Sequence, residues 1–278
     1  MNNKIVNGLA ADPNDYPFFV SLLVNLEDTS YLTCGGFIIA PSYIITAAHC
    51  LYDHKEKNKL RKDFKNIKIL HYQKALFNNN KPNWKKNNIH TIKDIILHPE
   101  YNDSKLPSFD HDIAIIKIDS KIVLNEYPII NFREEYYTPK LSHKVIGYGL
   151  TSWELGNSIQ RTNILLEQDL YVIKNRIFEE YFKNNLSKNM FTLTYSNNLL
   201  LNNTTSCKGD SGGPTFIYKD NYIYITGLVS WGYNCFKKHF PGVYTKIKNY
   251  FKWIYFDNNI IDDVPLKQKN TIILLYKS

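Results

Sequence analysis

Short runs of β-branched and aromatic residues, each soon broken by Asn, Gly, Pro or Asp, recur along this chain, and long stretches with a 3.6-residue apolar period are scarce. Such punctuation suits strands that turn back on one another, so the pattern predicts an all-β protein. Runs at 18–26, 36–40, 67–72, 113–118, 145–148, 164–172 and 222–229 read as strands, while 174–184 and 248–257 read as helical. The stretch 118–129 is expected to join two halves of similar size.

A chain of 278 residues, 44% hydrophobic and 22% charged, can bury one large core or two smaller ones and is unlike disordered or collagen-like sequences. No run reaches the roughly 18 apolar residues that a membrane-spanning helix needs. Met1-Asn2-Asn3-Lys4 enters Ile5-Val6 without an apolar stretch, so no secretory signal is visible. The net charge of +8 is concentrated between 54 and 86 and reads as solvated loops. Nucleic-acid and membrane partners are therefore not expected. Cys34, Cys50, Cys207 and Cys235 permit three pairings, of which the two sequence-local ones would be an ordinary framework for an oxidising compartment. None of them has zinc-site spacing.

The chemistry concentrates in Cys207-Lys208-Gly209-Asp210-Ser211-Gly212-Gly213-Pro214. A serine in a glycine-rich loop presents its hydroxyl to a substrate carbonyl, while the N–H groups of Gly209 and Ser211 form an oxyanion hole. Serine is a weak nucleophile without a neighbouring base. His49 is the candidate, since Thr46-Ala47-Ala48 and Cys50 let it pack closely and face a cleft. A buried carboxylate must orient that base. Asp112 opens the apolar run Ile113-Ala114-Ile115-Ile116 after Phe109-Asp110-His111, although taken alone it also reads as a strand-start residue.

The order His49, Asp112, Ser211 resembles the trypsin/chymotrypsin family of serine endopeptidases. Ile5-Val6-Asn7-Gly8 resembles the family's mature N-terminus, and Cys34-Gly35-Gly36 leads to Ala47-Ala48-His49-Cys50. Gly147-Tyr148-Gly149 is similar to a Gly-Trp-Gly strand, and Ser230-Trp231-Gly232 precedes Pro241-Gly242-Val243-Tyr244. The resemblance implies two six-stranded antiparallel β-barrels with the active site in the cleft between them and a C-terminal helix. The first barrel would occupy 5–125 and carry His49 and Asp112. The second, with the helix, would occupy 126–260 and carry Ser211. Residues 1–4 would be a short propeptide, and 261–278 a tail of unknown role.

The same resemblance implies disulfides Cys34–Cys50 and Cys207–Cys235, and activation by cleavage after Lys4, the new Ile5 ammonium pairing with Asp210. Ser230, Trp231 and Gly232 would bind substrate backbone as an added strand. Thr205, Ser206, Lys208 and Gly242 would shape the specificity pocket. Thr205 stands where trypsins carry the aspartate that pairs with Lys or Arg, so a chymotrypsin-like preference for aromatic or large aliphatic P1 residues is expected. Thr192 and Lys248 occupy positions that are cysteines in many relatives, and no counterpart of the calcium loop is present. No metal and no cofactor are expected. The implied protein is an extracellular or secretory monomer acting on polypeptides, open to protein inhibitors and activated by a separate trypsin-like protease. The alternative is a catalytically silent homologue that serves as a binding or regulatory module.

Overall fold

The computed structural model describes residues 8–25, 31–52, 60–61, 64–72, 76–78, 81–82, 88–101, 105–153, 159–161, 163–174, 182, 185–195, 206–232 and 240–277. Six strands close into an antiparallel barrel: β1 (Phe19–Asn25), β2 (Tyr31–Ala40), β3 (Tyr43–Thr46), β4 (Lys68–His71), β5 (Ile89–Leu97) and β6 (Ala114–Ile118). Their order around it is β1-β2-β3-β6-β5-β4, and the register Leu22↔Ile69 completes the circle between β1 and β4.

A second antiparallel barrel follows, from β7 (Ser142–Gly147), β8 (Leu166–Ile173), β9 (Met190–Thr194), β10 (Pro214–Lys219), β11 (Tyr222–Trp231) and β12 (Gly242–Lys246). It runs β7-β8-β9-β12-β11-β10 and closes between β10 and β7 at Val145↔Thr215. The two barrels therefore share one strand order, although the sequence has no visible repeat. Bulges at Ile38/Ala40 and Ile92/Asp94 in the first barrel, and at Thr215/Phe216 and Val229/Trp231 in the second, supply the local curvature that closure demands.

The barrels dock through aromatic side chains. Phe18 meets Phe216 edge-on with ring centroids 5.4 Å apart, and Phe19 packs on Tyr148. One continuous core consequently runs from Val20, Leu22 and Ile45 in one barrel to Phe216, Ile225 and Leu228 in the other. In the connecting segment, the Tyr127 hydroxyl donates to the Ile122 carbonyl (2.8 Å). Cys34 and Cys50 form a disulfide that ties β2 to the turn after β3. Cys207 is also disulfide-bonded, and its expected partner Cys235 lies outside the described residues. At the two positions without cysteine, Thr192 donates its hydroxyl to the Ile173 carbonyl (2.8 Å) and Lys248 pairs with Glu134 (2.9 Å).

The C-terminal region is helical where expected and adds an element beyond it. Residues 247–257 are helical but not one regular α-helix: a 3₁₀ turn (Ile247–Tyr250) leads to a π turn (Trp253–Asp257). Tyr250, Phe251, Ile254 and Tyr255 are all buried, so packing of large side chains sets the local winding there. A regular helix, α1 (Leu266–Lys277), occupies the tail of unknown role. Its Ile272 is fully buried and its Tyr276 stacks on Phe251 (4.9 Å). Gln268 Oε1 accepts the Tyr127 N–H (3.2 Å) and Gln268 Nε2 donates to the Tyr127 carbonyl, so α1 is strapped to the segment between the barrels. No helix among the described residues is long and apolar enough to cross a membrane. The expected helix at 174–184 lies outside the described residues except for Lys174 and Phe182.

Candidate active site

His49 sits on a 3₁₀ turn (Ala48–Cys50) directly after β3, with Ala47 and Ala48 fully buried behind it. Asp112 lies just before β6 and is fully buried. The preceding loop is strained, because Phe109 (φ 61°) and His111 (φ 55°) both occupy the left-handed region, at about 1–2 kcal/mol each. The Asp110 carboxylate holds that loop, accepting from the His111 N–H (3.0 Å), Ser187 Oγ (2.7 Å) and Asn189 Nδ2 (3.1 Å).

A buried carboxylate is tolerated only when its lone pairs are satisfied. Asp112 Oδ1 accepts the His49 backbone N–H (2.9 Å), and Oδ2 accepts from His49 Nδ1 (2.8 Å) and Ser230 Oγ (2.5 Å). With its Nδ1 proton facing Asp112, His49 keeps the Nε2 lone pair for another partner. Burial pulls the His49 pKa down, but the charge of Asp112 and its hydrogen bond outweigh that, leaving it above 6.5. Ser230 belongs to β11, and Thr245 Oγ1 in β12 donates to the Asp112 carbonyl (2.9 Å). The second barrel thus grips an acid carried by the first. Sequence reasoning missed both hydroxyl contacts: Ser230 was expected only to pair its backbone with substrate, and serine and threonine in strands carry no signal of such a partner.

Ser211 stands where the barrels meet. Its carbonyl accepts the Gly35 N–H (2.7 Å), and Cys50 Sγ lies 3.6 Å from that oxygen, so the residue after His49 touches Ser211. Gly212 has φ +77°, and a β-carbon there would come within 2.6 Å of the Gly35 carbonyl oxygen and 2.8 Å of the Ala47 nitrogen. The serine loop can approach the histidine loop this closely only with glycine. Around the loop, the N–H groups of Asp210, Gly212 and Gly213 bond to Cys207, Val229 and Asp210 carbonyls. Those of Gly209 and Ser211 take no partner among the described residues. Nor does a hydrogen bond join Ser211 Oγ to His49 among them, and such contacts commonly tighten only when substrate binds.

Asp210 points away from this opening into the protein, where it is buried. It accepts the N–H groups of Gly149 (2.7 Å) and Cys207 (2.9 Å). Burial pushes its pKa up to about 6, and those two hydrogen bonds offset only part of the effect. A β-carbon on Gly149 would lie 2.6 Å from Asp210 Oδ1. Gly149→Ala is therefore expected to displace the carboxylate and lower stability by about 2–4 kcal/mol, read from denaturant unfolding.

Among residues assigned to the specificity pocket, Ser206 Oγ lies 3.0 Å from the hydroxyl of the buried Tyr244. Trp231 packs edge-on against Phe182, and Lys208 is exposed. A β-carbon on Gly232 would make ordinary contact with Gly242 Cα (3.9 Å) and the Pro241 carbonyl oxygen (4.0 Å). Thr205, Lys4 and Ile5 lie outside the described residues.

Comparisons with known proteins bear on the family. The trypsin family model matches residues 5–254. Anionic trypsin of Canis lupus familiaris is 30% identical over 254 residues, covering 91% of this chain and 89% of the relative. Cationic trypsin-3 of Rattus norvegicus is also 30% identical, with the same coverage. A third relative, complement factor I of Mus musculus, is 30% identical over 257 residues, covering 90% of this chain but only 38% of its own length. From residue 5 to residue 254, through both barrels and the loops that carry His49, Asp112 and Ser211, the chain belongs to the trypsin family of serine proteases.

Proposed function

We propose that this protein is a serine endopeptidase that hydrolyses peptide bonds through an acyl-enzyme. Ser211 Oγ attacks the carbonyl carbon, and His49 Nε2 takes the hydroxyl proton and passes it to the leaving amine. Water then attacks the ester, with His49 again accepting the proton. Asp112 fixes the His49 tautomer and stabilises the imidazolium, and the N–H groups of Gly209 and Ser211 receive the oxyanion. The observation that carries this reading is the chain of hydrogen bonds Ser230–Asp112–His49 beside a serine loop with two N–H groups that take no partner among the described residues. Labelling of Ser211 by a fluorophosphonate tests it. A folded protein that takes no label at Ser211 is the silent homologue instead.

Substrate binds in extended form along Ser230, Trp231 and Gly232, and its P1 side chain enters the pocket formed by Thr205, Ser206, Gly232 and Gly242. A hydroxyl at Thr205 does not neutralise a buried guanidinium or ammonium. In a peptide library, cleavage after Phe, Tyr, Leu or Met is expected to exceed cleavage after Lys or Arg by at least tenfold, and Thr205→Asp to narrow that ratio. Dominant cleavage after Lys or Arg by the unmutated protein would overturn the pocket assignment. The poor fit of Lys in this pocket makes self-cleavage after Lys4 inefficient, so a separate trypsin-like protease activates the chain. The disulfide framework suits an extracellular or secretory site of action for the monomer.

A further inference from the structure

The family match ends at residue 254, and no side chain assigned above to catalysis or substrate binding lies beyond it. The segment that follows is nevertheless built into the molecule. Ile260, Ile261 and Val264 are buried, and α1 then docks at two places. The first is the connector between the barrels. At one end of it, the Ile122 N–H donates to the carbonyl of Pro41, in the turn between β2 and β3 (2.8 Å). At the other, Ile129 and Ile130 pair with Tyr224 and Ile225 of β11. Between these anchors, Gln268 takes both backbone groups of Tyr127, accepting the N–H at Oε1 (3.2 Å) and donating from Nε2 to the carbonyl. A buried side-chain amide thus supplies the pairing that a neighbouring strand would otherwise give that residue.

The second place lies towards Asp112. The Tyr276 ring stacks on Phe251 with centroids 4.9 Å apart and planes inclined by 15°, and it lies 5.4 Å from Phe256. Phe251 follows Tyr250, whose ring stands edge-on to His111 and whose hydroxyl lies 3.2 Å from His111 Nδ1. His111 immediately precedes Asp112. Packed rings therefore lead from α1 to the residue that orients His49. The partners of Asp112 are divided between the barrels: His49 sits on the first, whereas Ser230 and Thr245 reach it from the second. Any slip of one barrel against the other stretches the two hydroxyl bonds first.

The helix depends on its anchors. It has 12 residues, a length at which an isolated helix is marginal in water, and its Leu266 and Leu274 face solvent. Its order therefore rests on Gln268, the fully buried Ile272 and the Tyr276 stack. We propose that α1 is a positioning element for Asp112: docked on Tyr127 and Phe251, it fixes the register of the two barrels and with it the bonds from Ser230 and Thr245. Undocking lowers turnover and leaves the substrate pocket unchanged. The effect on turnover rests on the proteolytic reading; the placement of Asp112 does not.

The test compares the full chain with Gln268→Ala, Tyr276→Ala, the double variant and Tyr276→Phe. Hydrogen exchange of the amides in 266–277 reads docking, NMR titration of His49 reads its contact with Asp112, and peptide hydrolysis reads turnover. In the double variant α1 is expected to lose protection. The His49 titration should move to lower pH, because Asp112 supports the imidazolium less well. In the same variant kcat should fall by roughly tenfold, with KM within about twofold. Tyr276→Phe, which keeps the ring, should match the unmutated protein in all three readings. A double variant whose α1 stays protected, or one that releases α1 while kcat and the His49 titration stay put, would overturn the proposal. Tyr276 is half exposed, so Tyr276→Ala spares the fold and must show smaller changes in the same directions. If His49 responds as expected but the unmutated protein neither labels with fluorophosphonate nor cleaves peptides, the positioning role stands and the proteolytic reading falls.

Discussion

Ser211→Ala is expected to lower kcat/KM by on the order of 10⁵-fold while leaving thermal unfolding within a degree or two of the unmutated protein. His49→Ala should have nearly the same effect, and the double variant should be little worse than either, because a nucleophile without its base and a base without its nucleophile are equally idle. Activity that survives Ser211→Ala would refute the assignment. The pH profile gives a second reading of the same site. His49 must be neutral to accept the serine proton, and Asp112 holds its pKa above 6.5. The acidic limb of kcat/KM should therefore have its midpoint above pH 6.5, so that activity rises at higher pH than for an unassisted imidazole. Asp112→Asn removes that support and should move the limb downward while lowering the plateau.

Cleavage after Lys4 is expected to raise activity by about 10²–10³-fold, the loss typical of a missing oxyanion donor. The motive is Asp210, a buried carboxylate one residue from Ser211 with no cation against it among the described residues. Its pKa is raised from 3.8 to about 6, so between those values the folded chain keeps a proton that the unfolded chain has lost. The contribution of Asp210 to the stability of the uncleaved protein should therefore be greatest below pH 4 and fall as pH rises towards 6. A free Ile5 ammonium beside Asp210 favours the carboxylate and reverses the sign: the cleaved protein should gain stability above pH 4 and lose it on acidification. Denaturant midpoints of both forms across this range measure the reversal. Asp210→Asn in the cleaved chain should return activity to the uncleaved level. Equal activity with and without residues 1–4 would sink the idea.

The strands at 19–25, 68–71 and 114–118 were legible because β-branched and aromatic residues cluster there between turn residues. Tyr43–Thr46 and Met190–Thr194, which match the last two of those in length, were not read as strands. His49, Asp112 and Ser211 stood out through the small residues and glycines around them, and close backbone approach demands those local neighbours. Ser230 and Thr245 were hidden for the opposite reason. They reach Asp112 across sequence separations of 118 and 133 residues, and nothing adjacent to them marks the contact. Helix α1 escaped notice because Leu266 and Leu274 face solvent while Gln268 is buried, which blurs the apolar stripe.

The grip of the second barrel on Asp112 also governs when a nascent chain acquires its chemistry. His49 and Asp112 emerge from the ribosome early, but Ser211, Ser230 and Thr245 follow roughly a hundred residues later, at several seconds' delay for ordinary synthesis rates. The strap from Gln268 to Tyr127, spanning 141 residues, arrives later still. Until Ser211 emerges, the first barrel carries a histidine and an acid but nothing to attack with. Synthesis itself thus acts as a timer that withholds the complete site until Thr245 has been added.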